Sequence, residues 1–121
     1  MIINIKATGL ELTPALDIFV REKLANLAKK LGEHRDSTQA QVDIGMDSHH
    51  HKAGQIFRAE INLLYRGKQI RTEAENSDMY LAIDGAKDKM VREVIKYEKR
   101  QSSLFRRGGR AIKGIFRGWK R

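Results

Sequence analysis

The chain opens with alternation. In IINIKAT, Ile3, Ile5 and Ala7 fall on one side and Asn4, Lys6 and Thr8 on the other. A two-residue period of this kind belongs to a strand with one buried face. The pattern changes in LTPALDIFVREKLANLAKKLG, where Leu16, Val20, Leu24, Leu27 and Leu31 recur at helical spacing. Thr13 is placed to cap that helix, Pro14 suits its first position and Gly32 its stop. Alternation returns in TQAQVDIGM, with Ala40, Val42, Ile44 and Met46 on one face. It recurs in IFRAEINLLY, with Phe57, Ala59, Ile61, Leu63 and Tyr65 inward, and in KQIRTEAE, with Ile70, Thr72 and Ala74 inward. Arg66-Gly67 between the last two runs reads as a tight hairpin turn. Asn76 or Ser77 can cap a final helix. The predicted order is β-α-β-β-β-α. Strands with one apolar and one polar face make a sheet covered on one side, so both helices must lie on that side. The expected fold is an α+β two-layer sandwich.

The final helix, SDMYLAIDGAKDKMVREVIKYEKR, resolves into faces. At about 100° per residue, Met79, Ile83, Ala86, Met90, Val94 and Tyr97 fall within a band of about 80°, the core face. Lys89, Lys96 and Arg100 cluster on one flank, with Arg92 and Lys99 just beyond. Asp84, Asp88 and Glu98 lie toward the other flank, and Glu93 is the exception. A solvated helix face with i,i+4 pairs would look similar, and so would a phosphate-contacting stripe. Periodicity leaves both readings open. Gly85, near the helix start, costs up to about 1 kcal/mol relative to alanine.

Charge changes the picture. Of the 24 Lys and Arg, seven lie in residues 101–121, which hold no acid; the other 17 face all 15 Asp and Glu within residues 1–100. A nearly balanced domain of residues 1–100 therefore carries a strongly basic tail, and a polyanionic partner is expected. The absence of cysteine excludes disulfides, thiolate metal sites and cysteine nucleophiles. No apolar run is long enough for a membrane span, and the N-terminus lacks a signal peptide's hydrophobic region, so a cytoplasmic location is expected.

SDMYLAID, followed by a basic amphipathic helix and preceded by FRAEINLLYRGKQIRTEAEN, resembles the ribosome hibernation promoting factor / ribosome-associated inhibitor family. LTPALDIFVREKLANLAKKLG supports the match, and together these stretches cover residues 1–100 in order. The resemblance implies a layout similar to double-stranded-RNA-binding domains. It also implies binding to the small ribosomal subunit where messenger and transfer RNA would sit, and silencing of idle ribosomes. The contacts it implies are basic residues of the two helices: Lys23, Lys29 and Lys30 in the first, and Lys89, Arg92, Lys96, Lys99 and Arg100 in the second. A-form RNA offers its phosphates and shape more readily than its base edges, which suits Lys and Arg on rigid helices. The long members of the family carry a second domain that pairs ribosomes; the 21 residues after Arg100 are too few for it.

The tail, SSLFRRGGRAIKGIFRGWKR, contains Gly108, Gly109, Gly114 and Gly118, which weaken a free helix. It is expected to be disordered in the free protein and to contact RNA through Arg106, Arg107, Arg110, Lys113, Arg117 and Trp119. Two other functions compete: a free double-stranded-RNA-binding module, and a membrane-surface protein acting through the tail. DSHHHK invites a metal reading, since Asp47, His49 and His51 share a face of an extended strand. Adjacent histidines without separated ligand pairs favour a solvated turn instead. No metal, cofactor or catalytic residue is expected: there is no phosphate-binding glycine loop, no G-x-S-x-G and no H-E-x-x-H. The free protein is expected to be a monomer. Tyr80 reads as half-buried packing in preference to a base-stacking platform.

Overall fold

The computed structural model describes residues 1–47 and 54–115, with side chains described through residue 46 and from residue 54 to residue 104. Strand β1 (Ile2–Thr8) is followed by helix α1 (Pro14–Ala28), then β2 (Gln39–Asp47), β3 (Ile56–Tyr65), β4 (Lys68–Asn76) and helix α2 (Met79–Ile115). The sheet order is β1-β2-β3-β4. β1 pairs with β2 in parallel, whereas β2, β3 and β4 form an antiparallel meander. The α+β two-layer arrangement expected from the alternation is the one found.

One face of the sheet carries the core. Val42, Ile44, Ile61 and Leu63 from the strands meet Leu16, Val20, Leu24 and Leu27 of α1 and Ile83, Met90 and Val94 of α2. Each such side chain, fully buried, is worth about 1.5–3 kcal/mol of transfer free energy. Two buried hydroxyls are satisfied within the fold. Thr38 Oγ1 donates to the His34 carbonyl at 2.6 Å, and Thr72 Oγ1 donates to the Ala86 carbonyl at 2.9 Å, tying β4 to α2.

The helix ends show where local chemistry decides. Thr13 Oγ1 accepts from the Leu16 amide at 3.2 Å with Pro14 at the first position, as its sequence requires. α2 is capped by neither Asn76 nor Ser77. Asp78 Oδ1 accepts from the Tyr80 amide at 2.8 Å, and Asn76 Oδ1 instead accepts from the Asp78 amide at 3.0 Å, holding the turn before the cap. Arg66 and Gly67 both take left-handed backbone conformations, φ 54° and 78°, the geometry of a two-residue hairpin turn.

The chain departs most from its sequence pattern beyond Arg100. α2 continues to Ile115 and includes Gly108, Gly109 and Gly114, past the Arg100 at which the sequence pattern ends it. Propagating an existing helix needs only one residue fixed per new hydrogen bond, without a new nucleus. The costs of three glycines are thereby spread over a helix already anchored by its first five turns.

Candidate nucleic-acid interface

α1 and α2 lie side by side and run the same way. The Phe19 and Tyr80 rings meet edge to face with centroids 4.8 Å apart, Lys23 Nζ lies 3.1 Å from Asp84 Oδ1, and Lys30 faces Val94, Ile95 and Lys99. These pairs advance together along both helices. The C-terminal part of α1 therefore sits beside the middle of α2, and cations from both segments gather there.

The basic residues divide between two flanks of α2 instead of forming one stripe. On the α1 side, Lys30 and Lys99 line an open groove of about 650 Å³ floored by Val94 and Ile95, with Glu98 and Ser102 at its wall. On the β4 side, Lys96 and Arg100 line a smaller cleft of about 220 Å³ with Lys68, Arg71, Tyr97 and Glu93. Arg92 is exposed on the crest between them. Lys29 occupies the C-cap position of α1 and Lys30 the turn after it, so neither belongs to the first helix, where the sequence placed them. Both are exposed where the last carbonyls of α1 concentrate negative charge, which favours cations.

Two of the expected contacts are already engaged. Lys23 bridges to Asp84 and sits 5.1 Å from the Phe19 ring centroid. Lys89 Nζ donates to the Glu73 carbonyl at 2.7 Å, which draws its side chain toward β4. Lys96 pairs with Glu93 at 3.3 Å, but both side chains are well exposed, and a solvated pair of this kind contributes little. Arg106, Arg107, Arg110 and Lys113 lie on the continuation of α2, with side chains outside the described residues, as are Arg117 and Trp119 altogether. His49 and His51 also fall outside the described residues.

Lys68 and Arg71 were not expected at the interface. Alternation assigns residues of β4 to faces, and nothing in it reports that the start of β4 lies against the fifth and sixth turns of α2. The signal that could have found them is the hairpin itself, because a two-residue turn at Arg66-Gly67 puts Lys68 directly opposite Tyr65, and Tyr65 inward implies contact with a helix.

A polar clamp fixes this end of the molecule. The Tyr65 ring is buried and its hydroxyl donates to Glu98 of α2, while Arg66 Nη1 donates to both Glu98 oxygens at 2.9 and 3.0 Å. Burial pushes the Glu98 carboxyl up, but the hydrogen bonds from Tyr65 and Arg66 outweigh it and leave it below its usual range. The carboxylate thus stays charged and spends its charge on the hairpin. Rigid cations with shallow open grooves between them can hold a phosphate backbone.

A sandwich of this topology, with cations gathered where two parallel helices cross one sheet face, defines an α+β fold class. Comparison with known proteins narrows the class. The family described as "Sigma 54 modulation protein / S30EA ribosomal protein" matches residues 3–102, and the chain belongs to it. It is 34% identical over 98 residues to the ribosome hibernation promoting factor of Klebsiella oxytoca, covering 81% of this chain and 94% of that protein. It is 30% identical over 106 residues to the ribosome hibernation promotion factor of Bacillus subtilis, covering 88% of this chain and 53% of that protein, so the chain spans about half the length of this relative. Among solved structures, the N-terminal domain of Thermus thermophilus Protein Y superposes with a TM-score of 0.67 at 30% identity, over 80% of this chain and 99% of that one. A ribosomal subunit interface protein from Coxiella burnetii, at 21% identity and TM-score 0.66, shares the fold over 82% of this chain and 99% of its own. Among the described residues, no helix is long and apolar enough to cross a membrane.

Proposed function

We propose that this chain is a ribosome hibernation factor that occupies the small ribosomal subunit at the messenger and transfer RNA channel and silences translation. The observation that carries the reading is the gathering of Lys29, Lys30, Arg92, Lys96, Lys99 and Arg100 where α1 ends beside α2, in a chain whose relatives are named for ribosome hibernation. Lys68 extends the platform onto the sheet edge, whereas Arg71 in the same cleft is held by Glu60. A-form RNA is contacted through phosphates and groove shape, for which these side chains need no base-reading geometry. The basic residues 101–121 extend the footprint as an affinity arm.

About five phosphate contacts give a log–log salt slope near −4, at roughly 0.7–0.9 per contact. The test is cosedimentation of the purified protein with separated small and large subunits, with and without messenger and transfer RNA. Binding to the small subunit that declines as transfer RNA saturates it is expected. Sedimentation with the large subunit alone, or undisturbed binding beside saturating transfer RNA, would sink the reading. Tighter binding to free duplex RNA than to ribosomes would instead identify a free RNA-binding module.

A further inference from the structure

The groove between the end of α1 and the middle of α2 combines three kinds of surface. Its rim is cationic, with Lys30 contributed by the turn after α1 and Lys99 by α2. Among the described residues neither lysine forms a salt bridge, whereas Lys23 pairs with Asp84 and Lys96 with Glu93. Its floor is aliphatic: Val94 is buried beneath, and Ile95 keeps 41% of its surface exposed. Its wall carries Glu98 and the exposed Ser102.

Glu98 is the odd member of this set, because a carboxylate inside a pocket for phosphate alone would repel the anion. Its side chain is 37% exposed. Oε2 accepts from both Tyr65 and Arg66, but Oε1 accepts from Arg66 alone, so the oxygen retains acceptor capacity toward the groove. A charged acceptor in that place suits an amino group. An anion at the rim, a flat apolar face on the floor and an amino group at the wall are parts of a single ligand class, the nucleotide. The volume of about 650 Å³ lies within the range of small-molecule sites, roughly 300–1,000 Å³. A basic protein segment would be repelled by Lys30 and Lys99. A duplex, whose bases stay paired inside, would rest on the rim and leave the floor bare.

We propose that this groove takes one unpaired nucleotide of the bound RNA. Its phosphate lies between Lys30 and Lys99, its base lies on Ile95 above Val94, and the exocyclic amino group of adenine, cytosine or guanine donates to Glu98. The inference deepens the ribosome reading and rests on its RNA contact. Uracil, with a carbonyl oxygen in place of the amino group, sets acceptor against acceptor at the wall. Splayed, unpaired bases are the parts of an RNA that a protein reaches most readily. The platform then holds RNA in two ways: cations on the crest follow the backbone, and one captured base fixes the register.

The test follows the isoleucine methyl resonances of the full chain as single-stranded oligocytidylate or, separately, oligouridylate of equal length is added. These two bases are alike in size and differ at the amino group. Ile2 and Ile18, exposed elsewhere on the molecule, are internal controls. Oligocytidylate should move the Ile95 methyls and leave the controls in place, and oligouridylate should bind about fivefold more weakly. An unmoved Ile95, equal affinity for the two oligonucleotides, or an equal movement produced by ribose 5-phosphate overturns the proposal. A second measurement is made on small ribosomal subunits. Ile95→Ser, a change at an exposed position, should lower affinity about fivefold, the scale of a half-covered isoleucine, with the salt slope unchanged. Lys99→Gln should make the slope shallower and so reports the RNA contact itself. Wild-type affinity of Ile95→Ser beside weakened Lys99→Gln overturns this inference and leaves the ribosome reading standing. A wild-type chain that does not cosediment with small subunits ends both.

Discussion

Tyr65 stands at the junction of hairpin and helix, and its phenol reports that junction. Burial, with the hydrogen bond to Glu98, pushes its pKa from 10.0 up to about 12. A group whose native pKa is raised contributes stability that is complete below pH 10 and is lost as pH climbs through 12. Tyr65→Phe should therefore remove part of the alkaline destabilisation seen when thermal midpoints at pH 9 and pH 12 are compared with those of the wild type. Parallel losses in both proteins would count against the clamp. Glu60, on the bare face of the sheet, behaves in the opposite sense. The hydrogen bond from Arg71 and that from Asn62 outweigh its burial and hold its carboxyl below the ordinary 4.5. Its contribution is present above pH 4.5 and disappears as pH falls through the lowered native value, so Glu60→Gln should flatten the acid limb of the stability profile. On α2, neighbouring residues divide between fold and function. Met90 has no exposure, and Met90→Ala should cost about 2–5 kcal/mol in denaturant unfolding. Reversing Arg92, Lys96 and Lys99 to Glu should leave the thermal midpoint within a few degrees and abolish ribosome binding. Wild-type inhibition of translation by that triple variant would refute the assignment.

Within α2, Gly85 looks like a weak point until the sheet beneath it is considered. A Cβ at this position would lie 3.1 Å from the Cβ of Ala74 on β4. The helix thus gives up as much as about 1 kcal/mol of propensity to lie close to the strand. Gly85→Ala should stabilise less in the wild-type background than in an Ala74→Gly background, with a coupling of about 0.5 kcal/mol or more in a double-mutant cycle. Additive effects would mean that the contact relaxes freely. This case shows what the sequence could and could not reveal. The strands, the Thr13 cap, the Arg66-Gly67 turn and the buried face of α2 were legible because each depends on residues close in sequence. The cap of α2 was not, since Asn76, Ser77 and Asp78 can all serve and only the backbone geometry selects among them. Pairing across elements was equally hidden: Lys23 engages Asp84 and Lys89 engages Glu73, partners 61 and 16 residues away that no helical period predicts. The end of α2 was missed because propensity counts glycines singly, whereas an anchored helix spreads their cost.

For the molecule as a whole, charge and family membership have different boundaries. The family match ends at residue 102, and all seven cations of the last segment follow it. A chain ending at Leu104 keeps the groove residue Ser102 and should fold with an unchanged core. It should bind the small subunit at the same place, more weakly and with a shallower salt slope, by about 0.7–0.9 for each phosphate contact removed. Affinities at several salt concentrations, full length against truncation, decide the matter. Equal affinity and slope would show that the segment lies off the RNA.

The parallel pairing of β1 with β2 carries a kinetic consequence. Tyr65 and Lys68 pair across a two-residue turn, but Ile2 pairs with Gln39 only after the whole of α1 has been traversed. Closing that longer loop costs more chain entropy before any contact rewards it. The meander with α2 should accordingly form the folding nucleus, and β1 should dock after the barrier is crossed. Ile5→Ala, in the middle of β1, would then leave the folding arm of a chevron plot nearly unmoved and accelerate unfolding. The strand made first is the strand that folds last.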